Sequence, residues 1–174
     1  VLPGPESRLP GRYKRTDDYW ELPQGGYFRA AGVGGAITGL RFDLGIIDDP
    51  VKSREEAESP VYRQKVWEWY TSDFFTRRAR DSRIVVCMTR WHRDDLVGRL
   101  LKQTDGETWD LVELPALCRE DKKHPADPRS PGQALWPAFL DEEALEKTRR
   151  QDLRAFAALY QQDPAEAAGT EWPA

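Results

Sequence analysis

At 174 residues, with 39% hydrophobic and 32% charged side chains, the chain is long enough for one domain that buries roughly two thirds of its unfolded surface, and its apolar runs are too short to span a bilayer, so no membrane role is expected. A net charge of −4 speaks against a protein coated with basic residues to hold nucleic acid non-specifically, and leaves only a local basic patch for such contact. Cys87 and Cys118 stand far apart with no C-x-x-C, and His92, even with Asp94 and Asp95 nearby, has no recognised metal spacing; a disulfide framework and a zinc site are not indicated, and a reducing compartment fits.

Residues 1–24 carry Pro3, Pro5, Pro10 and Pro23 among glycines and charges, which reads as an irregular leader. Its start lacks the basic and apolar regions of a secretory signal, and a chain opening on Val1 is expected to be a fragment. Tyr27 to Ala31 reads as a short strand, followed by a glycine-marked turn at Gly32, Gly34, Gly35 and Gly39. Leu44 to Ile47 is an apolar run that stops at Asp48-Asp49-Pro50, as a buried strand does where it leaves its sheet.

Ser53 with Glu56 has capping-box spacing, and Ser59-Pro60 supplies a second helix start. From there Tyr62, Val66, Tyr70 and Phe74 recur every four residues beside Trp69, which predicts one helix running to about Arg78 with its aromatics in the core. Ile84 to Met88 is a second strand candidate, Asp95 to Gln103 a short helix with Leu96, Val97, Leu100 and Leu101 on one side, and Asp110 to Leu114 a third strand. Arg119 to Gly132 reads as an exposed loop at a domain boundary, then Asp141 caps a helix containing Leu145, and Leu153, Phe156, Ala157 and Tyr160 share a face of a last segment that ends by Pro164 and Gly169. Strands alternating with helices predict an α/β fold with a mostly parallel sheet flanked by helices.

The run Leu44 to Asp49 has the form of a Walker B segment, in which a buried strand delivers two carboxylates to the carboxyl edge of a parallel sheet. The first can orient magnesium through its water shell and the second can orient or deprotonate an attacking water. The second strand ends in Thr89, Arg90, Trp91 and His92, so a parallel arrangement brings another polar cluster to the same edge. There the Thr89 hydroxyl can sense a terminal phosphate and Arg90 can contact phosphate or a neighbouring subunit. The alternative is ordinary turn chemistry at both strand ends.

The order of segments G-V-G-G-A-I-T-G, D-L-G-I-I-D-D-P, R-E-E-A-E-S-P-V-Y-R-Q-K-V-W-E-W-Y and V-V-C-M-T-R-W-H-R-D-D-L-V-G-R-L-L, continuing through A-L-W-P and F-A-A-L-Y-Q-Q-D-P, resembles the large terminase subunit of tailed phages and prophages. The resemblance implies part of a P-loop NTPase of the additional-strand, conserved-glutamate type over residues 25–118, and a C-terminal helical linker region over 119–174 that leads toward a nuclease domain. It makes Asp48 the magnesium-side carboxylate, Asp49 the catalytic carboxylate and Thr89 the coupling hydroxyl; Arg90 is expected as a nucleotide contact from its place at the strand end alone. It further implies ATP and Mg2+ as cofactors, double-stranded DNA, portal protein and small terminase subunit as partners, a homo-oligomeric ring, and the host cytoplasm as the place of work. Two departures stand out: Asp49 occupies a position where many relatives have Glu, and no G-x-x-x-x-G-K-[ST] phosphate loop occurs anywhere in the sequence. The chain alone is therefore expected to bind and hydrolyse ATP weakly.

Two other functions compete. Glu120-Asp121-Lys122 has the E-x-K spacing of metal-dependent nucleases, with Asp110 upstream. A non-catalytic remnant or binding module is the other; here Arg77, Arg78, Arg80 and Arg83 form a cluster between helix and strand that can meet DNA phosphates, or merely complement a helix C-terminus.

Overall fold

The computed structural model describes residues 16–22, 25–35, 37, 39–103 and 107–164. Its elements are β1 (Tyr19–Glu21), β2 (Tyr27–Arg29), β3 (Phe42–Asp48), α1 (Arg54–Glu58), α2 (Pro60–Glu68), β4 (Arg78–Cys87), α3 (Leu96–Leu100), α4 (Glu142–Gln151) and α5 (Leu153–Ala155). Wide π-helical turns follow α2 at Trp69–Phe74 and α5 at Phe156–Tyr160, and a 3₁₀ turn spans Phe75–Arg77. The architecture is α/β, with a small parallel sheet and helices. Among the described residues no helix is long and apolar enough to cross a membrane.

The centre is the parallel pair β3 and β4, in which Gly45, Ile46, Ile47 and Asp48 stand opposite Ile84, Val85, Val86 and Cys87. Alternation along each strand sends Ile47, Ile84 and Val86 into a core with Val66, Trp69, Tyr70, Phe74, Leu96 and Leu100. It sends Leu44, Ile46 and Val85 to the other face, where they are 56%, 60% and 48% exposed. The continuous apolar runs thus pack on one face only among the described residues. Gly45 makes that packing close: a Cβ there would stand 2.6 Å from ring atoms of both Phe42 and Phe74.

The helix expected to run unbroken to Arg78 changes character at Trp69. The Phe75 N–H reaches back to the Tyr70 carbonyl, and this wider i→i+5 turn lets Trp69, Tyr70 and Phe74 all lie inside, at 8%, 2% and 8% exposure. A regular 3.6-residue period would spread the same three side chains over a wider arc of the helix surface. The chain then enters β4 six residues before the expected strand start at Ile84, because Phe42 pairs with Arg78 across a register shift between Phe42 and Leu44. Arg78, Arg80 and Arg83 therefore sit on a strand, not in the turn that their charge suggests.

Three further expectations change. Part of the expected leader is β1, which pairs antiparallel with β2. Stacked Tyr19–Tyr27 and Trp20–Phe28 pairs at 6.0 and 5.2 Å hold the hairpin, and Gly25 and Gly26 turn it at φ +87° and +91°. The four prolines that motivated the leader reading lie outside the described residues. Asp110 to Leu114 forms no ladder: Leu111, Val112 and Leu114 are exposed, and the Leu114 N–H donates to Gln162 Oε1 (3.1 Å). Its continuation is drawn to the C-terminal part, since Ala116 N–H donates to the Tyr160 carbonyl (2.7 Å) and Leu117 bridges Ala134.

The connection from Arg119 to Gly132 has no helix or strand, yet it is not uniformly exposed. Arg129 is buried, with hydrogen bonds to Asp127 and to the Pro115 carbonyl at 3.0 Å, which satisfies a guanidinium that would otherwise be costly to bury. A second small core joins Ala134, Leu145 and Phe156 with Ala116, Leu117, Leu140 and Tyr160. Asp141 caps α4 through the Ala144 N–H (2.9 Å). Ion pairs Arg54–Asp152 and Glu58–Arg154 reach from α1 to the segment that opens α5.

Candidate functional site

Asp48 is the last residue of β3 and is exposed. At Asp49 the backbone turns into the left-handed region, φ +39°, which an aspartate tolerates better than most residues. The turn uses both ends of the residue. Its N–H donates to the Cys87 carbonyl (3.0 Å), and its Oδ1 accepts the Thr89 N–H (3.1 Å). Buried Pro50 and Val51 fix the chain beyond it. Ser53 then caps α1 by accepting the Glu56 N–H (3.3 Å), while the Glu56 carboxylate takes the Lys52 N–H (2.9 Å) in place of the cap residue's own.

Asp48, Asp49 and Thr89 therefore meet where two parallel strands end. Arg90 does not join them. Its Nε–H donates to Asp95 Oδ2 at 2.7 Å, with the two side chains 14% and 3% exposed. Sequence reasoning assigned no role to Asp95, whose Oδ1 also accepts the Gly98 N–H (2.7 Å) and caps α3. The signal available was the spacing of an N-cap aspartate before an apolar helix.

Beside this cap, the Asp94 N–H donates to His92 Nδ1 (2.9 Å). Burial, reinforced by the Arg63 guanidinium, holds the His92 imidazole below its ordinary range. Hydrogen bonds from Arg99 hold the Asp94 carboxyl below the usual carboxylate range. Arg99 also reaches Gln64 of α2 (2.9 Å).

The arginine cluster divides. Arg77 buries its Nε, and Arg78 pairs with Glu107 (2.8 Å) while stacking 4.0 Å over the Phe75 ring. Arg80 and Arg83 are exposed on β4 and make no ion pair among the described residues. On the nuclease side, the Lys122 ammonium is held by buried Asp163 (2.7 Å). No group of three or more His, Cys, Asp or Glu side chains able to hold a metal ion comes together among the described residues.

A hydrated magnesium ion needs only one or two protein carboxylates. Asp48 offers one in the open, and the adjacent, exposed Asp49 has a second oxygen while Oδ1 is committed to Thr89, so the donor chemistry at the strand ends fits such an ion. It does not supply a triphosphate cradle. The glycine turn closes on itself, Gly35 N–H to Gly32 carbonyl at 2.8 Å, and no glycine-lysine pair occurs in the sequence.

Compared with known proteins, the chain matches one family model, described as terminase large subunit, T4likevirus-type, N-terminal, over residues 20–172. No curated protein sequence matches it.

Proposed function

Because the chain belongs to the terminase large subunit family, in the N-terminal part that the matched model describes, we propose that it forms the carboxylate side of the nucleotide site in a motor that packages double-stranded phage DNA. The observation that carries this reading is the Thr89 amide bound to Asp49 across the ends of two parallel strands. Ladder ends of this kind are where open α/β sheets bind their ligands.

In this reading Asp48 would hold magnesium, and Asp49 orients the attacking water with Oδ2 while Oδ1 keeps Thr89 in place. Magnesium, when bound, supplies charge neutralisation at phosphate oxygens. In the same reading the Thr89 hydroxyl registers the terminal phosphate. The phosphate loop comes from sequence that this chain does not contain, in the arrangement of a partial P-loop NTPase. Arg80 and Arg83 are the proposed DNA contacts, and portal protein, small terminase subunit and further copies in a ring are the proposed partners, in the host cytoplasm.

A fluorescent ATP analogue titrated into the chain tests the site. Weak, magnesium-dependent binding that Asp48→Asn removes is the expected result, with little turnover of Mg·ATP. Binding indifferent to magnesium and to Asp48→Asn contradicts the assignment, and robust turnover abolished by Asp48→Ala contradicts the missing cradle.

A further inference from the structure

We infer that Arg90 and Asp95 form the joint that holds Thr89 against the carboxylate end of β3, so that Arg90 is a positioning residue and not a phosphate contact; the inference rests on the proposed role of Asp48, Asp49 and Thr89. From Met88 to Asp95 the chain is neither strand nor helix. The placement of Thr89 therefore depends on contacts outside any ladder. On one side its N–H is bound by Asp49, the residue just past the end of β3 (3.1 Å). On the other, the next side chain, Arg90, is bound by Asp95 at the start of α3 (2.7 Å).

Asp95 serves both ends of this connection. Its Oδ2 takes Arg90 and its Oδ1 takes the Gly98 N–H, at 2.7 Å each. Its side chain is 3% exposed, and turning Arg90 outward would strand a buried carboxylate without its counter-charge, a strongly unfavourable change. Reaching for a phosphate is thus opposed by the fold around Arg90.

The far side of the joint is firm. Leu96 and Leu100 of α3 are each 3% exposed in the same core as Ile47. Arg99 spans from Asp94 (2.8 Å) to Gln64 of α2 (2.9 Å). A Cβ on Gly98 would stand 2.0 Å from the Arg93 carbonyl oxygen, so the connection is pressed directly onto the helix. A shift of Thr89 away from Asp49 must then either break the Arg90–Asp95 pair or carry α3 with it. The carboxylate end of the sheet and α3 move as linked parts.

Amide hydrogen exchange on the full chain, resolved by NMR, tests the joint. Asp95→Asn keeps an oxygen for the Gly98 amide and removes the charge that holds Arg90; Arg90→Gln removes the cation and guards against one variant misfolding. Each is expected to speed exchange at the Thr89 amide by about tenfold, the size of one lost charge-assisted hydrogen bond, with Ile47 and Val86 amides unchanged as the check on folding. Combining either with Asp49→Ala should give no more than the larger single effect, because both act on one amide.

Unchanged Thr89 exchange in both variants overturns the proposal. So does equal acceleration across the Ile47 and Val86 amides, or a double variant whose effects multiply. Metal-dependent nucleotide binding is read separately: its absence counts against the site's function, whereas Thr89 exchange reports on the joint.

Discussion

Asp49 commits its backbone N–H to the Cys87 carbonyl and one carboxylate oxygen to the Thr89 amide, which leaves Oδ2 outside both contacts. The meeting of Asp49 and Thr89 was legible because two apolar runs each stop at polar residues, and parallel pairing brings those stops to one edge. The pairing of Arg90 with Asp95 was not legible, because the partner lies five residues on, in a connection with no periodicity to reveal which side chains meet. His92 carries the prediction at this scale. Burial first, and Arg63 second, favour its neutral form in the folded chain. A depressed folded value means that the stabilisation is complete above the ordinary imidazole pKa of about 6.5 and is lost as pH falls below it toward the folded value. Thermal midpoints measured across mildly acid pH should therefore decline in the parent chain and decline less in His92→Asn, which retains an acceptor for the Asp94 amide but does not titrate. Equal slopes would show that His92 does not couple to folding.

At the level of elements, β3 is defined by what it packs against as much as by its own apolar run. Gly45 admits the Phe74 ring to the sheet, and Gly45→Ala is expected to destabilise the chain by about 1–3 kcal/mol through overpacking, seen as a lower urea midpoint with an unchanged slope; an unaltered midpoint would mean that Phe42 and Phe74 yield freely. The aromatic stripe after Pro60 was legible as core, but its continuation as a regular helix was not. Four-residue spacing fits both an α-helix and one that widens at Trp69, so the spacing could not reveal the shift to the Phe75 N–H to Tyr70 carbonyl bond. The arginines after this turn were legible as a cluster and not as a strand, since charge conceals the alternation that β4 follows. Their division sets a second test. Arg80→Ala with Arg83→Ala should weaken binding of double-stranded DNA and reduce the salt slope by roughly two. Arg77→Ala and Arg78→Ala should act mainly on stability, through the buried Nε of one and the Phe75 and Glu107 contacts of the other. Identical effects of both pairs on the salt slope would refute the division.

At the scale of the molecule, the sheet packs on one face and leaves Leu44, Ile46 and Val85 open on the other, whereas parallel sheets are ordinarily covered on both. A run of apolar residues cannot report which of its faces its own chain will cover, so the sequence could not distinguish these cases. Nor could it show the second core, whose members Ala116, Leu117 and Ala134 come from segments without periodicity and join α4 and the Phe156–Tyr160 turn. The exposed ion pairs Arg54–Asp152 and Glu58–Arg154 between these parts contribute little to holding them together. What unites the account is the edge where β3 and β4 end side by side. Titration of Mn2+ into the chain, followed by paramagnetic broadening of its amide resonances, reads that edge directly. Loss of signal is expected to be confined to Asp48, Asp49 and the residues around Thr89, restored by excess Mg2+ and absent in Asp48→Asn. Broadening centred on Asp141, Glu142 and Glu143, or persisting undiminished in Asp48→Asn, would contradict it.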